Sequence, residues 1–183
     1  MKSFFIVISL CLFLVSCKNE EEPIVGIPIE GDGHIYALSG YQQVESFAKS
    51  FDSSVKIMGV RSQDVNISGS SKSWTYEFIS TDKMILYYFK RTYLSIGFDS
   101  TGSMKDGNSI ITDSWINSKV ALSSAENNGG KIFRNSHSSY KISASLSEPL
   151  IPNSTPLWYI KYSSSNQHLY VVINAITGEF VSN

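Results

Sequence analysis

Two stretches of this 183-residue chain repeat one order of residues, and that doubling narrows the available folds more than any other feature. Leu86-Tyr87-Tyr88-Phe89-Lys90, followed by Tyr93 to Gly102, matches Leu157-Trp158-Tyr159-Ile160-Lys161, followed by Leu169 to Gly178. Each half reads as an aromatic strand ending in lysine, a polar turn, a second strand, and a turn closing on Thr-Gly. Upstream, Ser73 to Phe78 pairs with Ser139 to Ala144 as a first strand. A helix precedes each set. In the first, Tyr41, Val44, Phe47, Ala48 and Phe51 recur at helical spacing, and Ser39 with Gln42 forms a capping box. In the second, Ser118 is the cap, Ala121 and Ala125 share a face, and Asn127-Asn128-Gly129-Gly130 is the stop.

The expected fold is therefore α+β, with two consecutive helix-plus-antiparallel-sheet units over 36–104 and 113–183 and a joint at Asp106-Gly107-Asn108. An all-β sandwich is the alternative, because the strands are strong and both helices short. Trp158, Ile160 and Tyr162 alternate with Lys161, as in a strand buried on one side. The strand tyrosines thus divide between core and surface. Tyr87, Tyr88, Tyr159, Tyr170 and Trp158 are the candidates for a binding surface.

The first seventeen residues place the chain. Lys2 begins a basic start, Phe4 to Leu14 is almost wholly apolar, and Leu14-Val15-Ser16-Cys17 reads as a lipobox. The run is too short for a permanent span and suits a removable export signal. It resembles the signals of bacterial lipoproteins. That resemblance implies a chain acylated on Cys17 and anchored to the outer membrane, with 1–17 removed apart from the cysteine. Residues 18–35 read as a tether, whose Cys17-Lys18-Asn19-Glu20-Glu21 start resembles a surface-export signal of lipoproteins from one Gram-negative phylum. Cys11 and Cys17 are the only cysteines, so the mature chain has no disulfide, thiolate nucleophile or zinc–thiolate site. A formal charge of −1 offers no broad basic field, and nucleic acid is not an expected partner.

The second half also resembles a family. Trp115-Ile116-Asn117-Ser118, Ala121, Ala125, Gly129-Gly130 and Phe133 precede Pro156 to Ile160 and Ile173-Asn174-Ala175-Ile176-Thr177-Gly178-Glu179. This order is similar to the PepSY-like domains of exported bacterial proteins, whose last strand ends in an acid-Ala-x-Thr-Gly turn. Asn174 stands where the acid is usual, with Thr177 and Gly178 completing the turn. The resemblance implies a cystatin-like helix on a sheet, and a module that binds peptides or proteins or modulates peptidases.

Nothing in the residues demands catalysis. There is no Gly-x-Ser-x-Gly elbow, no His-Glu-x-x-His pair and no Gly-rich phosphate loop. Glu77, Glu126, Glu148 and Glu179 could supply a carboxylate pair, but no spacing requires one. His34, His137 and His168 read as loop residues, so no metal or other cofactor is expected. A small-ligand scavenger, including one for haem, is the alternative to a protein-binding role. Asp99-Ser100-Thr101 resembles an O-glycosylation signal, and the doubling also explains it as the first Thr-Gly turn.

Overall fold

The computed structural model describes residues 32–103, 109–112, 114–147 and 154–183. Cys17, most of the tether, the Asp106-Gly107-Asn108 joint, Asp113 and Glu148 lie outside the described residues.

The fold is mixed α/β, dominated by one large antiparallel sheet with few helices. Its strands are β2 (Val55–Ser62), β4 (Ser73–Ser80), β5 (Ile85–Thr92), β6 (Ile96–Ser103), β7 (Lys141–Ser147), β8 (Leu157–Ser163), β9 (His168–Asn174) and β10 (Phe180–Ser182). They lie in the order β10-β9-β8-β7-β2-β4-β5-β6. A two-residue ladder of β1 (Ile35–Tyr36) with β3 (Ser70–Ser71) stands beside it. The helices are α1 (Tyr41–Phe51), α2 (Ser118–Ala125) and α3 (Lys131–Ser136).

The two expected units are not set apart. β2 pairs with β7 through Gly59↔Ser147, Val60↔Leu146, Arg61↔Ser145 and Ser62↔Ala144, so the sheet runs unbroken across the middle. Nor is the molecule a sandwich, because helices rather than a second large sheet cover the buried face. Trp74, Tyr76, Phe78 and Phe89 from one side of the seam join Ile142, Leu146, Trp158, Ile160 and Tyr162 from the other in one core. Val44 and Ala48 of α1, and Ala121, Leu122 and Ala125 of α2, close over it. These are the alternate residues of each strand, as half-covered antiparallel strands require.

The doubling is offset by one strand from the expected match. β2, unforeseen in the first half, and β10, unforeseen in the second, give four main-sheet strands after each helical segment. Trp74, not Tyr87, therefore takes the place matching Trp158. The Trp74 indole donates to the Ile35 carbonyl at 2.8 Å, just before α1, and the Trp158 indole donates to the Ile116 carbonyl at 3.1 Å, just before α2. Asp99 to Gly102 accordingly lie inside β6 and not in a turn.

Three local expectations also change. Gly40, which has no side chain to cap with, is the N-cap of α1, and no Ser39–Gln42 capping box forms. Asn117 is the N-cap of α2, while the Ser118 hydroxyl accepts the Ala37 N–H at 3.0 Å and ties the two halves together. The Asn127 to Gly130 run kinks the helix instead of ending it. Gly129 takes φ 113°, Asn128 Nδ2 donates to the Ser124 carbonyl at 2.8 Å, and α3 resumes directly. The continuation brings Phe133 into the core.

Candidate functional site

One face of the sheet is covered by helices; the other carries a small buried apolar cluster of Met58, Ile79 and Leu86, with Tyr88 and Ile110 packed on it, and is open beyond that corner. Strand alternation and register assign each side chain to one of them. Opposite Trp158, Ile160 and Tyr162 lie Leu157, Tyr159, Lys161 and Ser163 of β8. Opposite Ile142, Ala144 and Leu146 lie Lys141, Ser143, Ser145 and Ser147 of β7. One row across the open face reads Val172, Tyr159, Ser145, Arg61, Thr75, Lys90 and Gly97 from β9 to β6. The next reads Asn174, Leu157, Ser147, Gly59, Glu77, Tyr88 and Ser100. Small residues of β7 and β2 thus floor the centre, with larger aromatic and basic side chains on both flanks.

The cations on this face are ordered by its rings. The Arg61 guanidinium lies 5.6 Å from the centre of the Tyr88 ring, and its Nε is 3.0 Å from Glu77 Oε1. On the far flank, Lys161 Nζ lies 5.2 Å from the centre of the Tyr170 ring. Of strands β2, β4, β5, β7, β8 and β9, Glu77 is the sole acidic residue. Arg61, Lys90, Lys141 and Lys161 all point to the open side. The overall formal charge of −1 conceals this segregation.

Where β2, β4 and β5 end, a cleft of about 310 Å³ opens beside the row. Arg61, Lys72 and Lys90 line it with Ser73 and Thr75, and Asp64 is its carboxylate. Among the described residues, Lys72, Lys90 and Lys141 have no ion-pair partner. On the helix side lies a larger cleft of about 730 Å³, between α1 and residues 110–112 and 114–115. Tyr41, Ile57, Ile111 and Trp115 are the apolar part of its lining, Glu45 and Lys56 are its charged residues, and no histidine lines it.

The five candidate aromatics separate between the faces. Tyr88, Tyr159 and Tyr170 are on the open face, and Tyr170 is 54% exposed. Trp158 has no exposed surface and is a core residue, so it is not part of any binding surface. Tyr87 also leaves the set, because it lies on the helix side and packs against the core, its ring 6.4 Å from that of Phe89. The sequence reading missed Arg61, because it missed β2, and passed over the serines of β7. The signal for the serines was present in the strict alternation of Lys141, Ser143, Ser145 and Ser147 with apolar residues.

The Asn174 turn is a structural device. Asn174 Oδ1 accepts the N–H groups of Ile176 at 2.8 Å and Thr177 at 3.0 Å, and Gly178 closes the turn at φ 79°. The Thr177 hydroxyl donates to Glu179 Oε2 and accepts the Glu179 N–H. An amide oxygen accepts these bonds as a carboxylate would, so an asparagine at this position makes the turn that an acid could make.

Among the described residues, the candidate acid–base groups are each held separately. Glu126 accepts from Arg134 and from the Tyr162 hydroxyl, the latter at 2.8 Å. Burial first, and Glu126 second, push the Tyr162 phenol far above its usual range. Glu77 is on the opposite face with Arg61, and Glu179 is in the turn. His137 stacks on Phe133 at 4.2 Å, with Nδ1 2.7 Å from the Phe133 carbonyl and Nε2 3.1 Å from Gln167. His34 pairs with Asp32 at 2.6 Å, and His168 sits exposed at the start of β9. Among the described residues, no three His, Cys, Asp or Glu side chains cluster.

No protein-family model matches the chain, and no curated protein matches it. The PepSY-like resemblance therefore rests on the quoted residues alone. A solved structure is similar. It is the crystal structure of a "putative lipoprotein" from Clostridium difficile 630, at a TM-score of 0.52 and 12% identity, covering 85% of this chain and 96% of that one. The two chains share a fold. At that identity the likeness speaks of architecture and not of activity.

Proposed function

We propose that this protein is a non-catalytic, lipid-anchored module of the outer membrane whose open sheet face binds a protein or peptide. The observation that carries the reading is that face: Tyr88, Tyr159 and Tyr170, with cations set over two of their rings, flank a floor of serines that no helix covers. Tyrosines beside small hydroxyl residues supply contact area at low entropic cost together with adaptable hydrogen bonds. Anchoring through Cys17 is supported by the lipobox and by the description of the similarly folded Clostridium protein. The separate engagement of Glu77, Glu126 and Glu179 supports a role without catalysis.

The test has two arms. Cys17→Ala should move the protein from the membrane to the soluble fraction. A soluble chain starting at Ile24 keeps every described residue and should retain partners cross-linked from the envelope. Tyr159→Ala with Tyr170→Ala should lose the same partners while leaving the melting curve close to the parent's. Retention unchanged by those two substitutions would remove the open face from the reading. The helix-side cleft supports a second reading, as a carrier of a small apolar ligand. Its volume is within the usual range for such sites. Trp115→Ala would then abolish ligand uptake and leave the open face untouched.

A further inference from the structure

We infer that the occupant of the open face is an extended, acidic stretch of polypeptide, lying across the strands along the Tyr159–Ser145–Arg61–Thr75–Lys90 row. The inference rests on the reading of that face as the binding surface and adds the chemistry of the partner. Four basic side chains, Arg61, Lys90, Lys141 and Lys161, face the open side against Glu77, and Glu77 is already paired with Arg61. Lys72, Lys90 and Lys141 have no ion-pair partner among the described residues, nor does Lys161, whose ammonium lies on the Tyr170 ring. Complementary charge across a contact selects partners and speeds encounter.

The geometry suits a peptide. Strands lie about 4.8 Å apart, so four steps from Tyr159 on β8 to Lys90 on β5 span roughly 19 Å, the reach of about six extended residues. Carboxylates near one end would meet Lys161 and Lys141. Those near the other would enter the cleft of Arg61, Lys72 and Lys90, where Ser73 and Thr75 add hydroxyl donors and Asp64 is the opposing charge. The serine floor between them lets a main chain come close without displacing bulky groups.

A bilayer fits this face poorly. The most exposed large apolar residues are Leu94 (87%), Ile132 (73%) and Ile67 (57%), in the β5–β6 turn, on α3 and between β2 and β3. None of them is on the basic side of the sheet.

The test uses the soluble chain starting at Ile24, a fluorescent glutamate-rich decapeptide, its glutamine counterpart, and vesicles containing anionic phospholipid. The expected result is binding of the glutamate peptide at least about tenfold tighter than its glutamine counterpart, weakening as salt rises. Lys90→Gln with Lys161→Gln should remove most of that preference, with thermal unfolding unchanged. Equal binding of both peptides, lost in Tyr159→Ala with Tyr170→Ala, would overturn the acidic partner while the binding face stood. Binding to vesicles but to neither peptide would overturn both.

Discussion

Asp52 illustrates how one residue links local geometry to the conditions the fold withstands. It follows α1 directly, and its Oδ1 accepts the backbone N–H of Ser54 at 2.9 Å and the Ser54 hydroxyl at 2.7 Å. Lys83 Nζ, from the β4–β5 turn, lies 3.0 Å from its Oδ2. The two bonds from Ser54 first, then Lys83 and Ser80, hold the carboxyl far below the usual carboxylate range. A group whose folded pKa is depressed stabilises the fold fully above its unfolded value of about 3.9 and loses that contribution as pH falls through the folded value. The melting temperature should therefore decline as pH drops below about 5. Asp52→Asn should melt lower than the parent at neutral pH and decline less over the same acid range. Thermal unfolding at a series of pH values, in parent and variant, measures both. The sequence shows an acid before a turn, with Ser54 near it, but not the two distant donors, because Lys83 and Ser80 arrive from the end of β4 and the turn that follows it.

At the scale of elements, the helix kink depends on a side chain from the sheet. Gly130 has ordinary helical angles (φ −56°, ψ −47°), so alanine would suit its backbone and raise helix propensity by roughly 0.5–1 kcal/mol. A Cβ there would sit 2.2 Å from the Tyr162 hydroxyl and 2.4 Å from Tyr162 Cζ. Tyr162 cannot yield easily, since its ring is fully buried and its hydroxyl is bonded to Glu126. Overpacking of about 1–3 kcal/mol then outweighs the propensity gain. Gly130→Ala should lower unfolding free energy by about that much, measured by urea denaturation; an unchanged or raised midpoint would contradict the packing argument. Elements also show where sequence reasoning fails. α1 was legible because Tyr41, Val44, Phe47, Ala48 and Phe51 keep one period. β2 was not, because a bulge between Ile57 and Gly59 admits Met58 and shifts the apolar alternation midway. With β2 unseen, aromatic strand was matched to aromatic strand one place out of step. Which face of a strand is covered depends on its neighbours and not on its own residues, so the sequence groups Trp158 and Tyr87 with Tyr88 although Tyr87 and Tyr88, adjacent in β5, point to opposite faces.

For the whole molecule, the seam decides whether the doubled chain behaves as two bodies or one. β2 and β7 pair along four residues, and the core crosses beneath them. Trp74 and Trp158 meet edge to face at 6.1 Å, and Trp158 meets Trp115 at 6.0 Å. Both indoles are fully buried, and each donates to a carbonyl just ahead of a helix. Melting one half would expose a β2 or β7 edge and a tryptophan from the other, together with the Ser118–Ala37 link. No half can therefore open without uncovering apolar surface and unpaired backbone on its neighbour. The chain starting at Ile24 should unfold in one transition, with far-ultraviolet and near-ultraviolet signals coinciding and calorimetric and van't Hoff enthalpies equal. Trp74→Phe and Trp158→Phe should be coupled, differing from additivity by more than about 0.5 kcal/mol because the rings touch. Two resolved transitions, or strictly additive substitutions, would mean that the halves are independent. A peptide lying across the seam would then have no rigid platform, because its Tyr159 and Lys90 contacts come from opposite sides of the β2–β7 pairing.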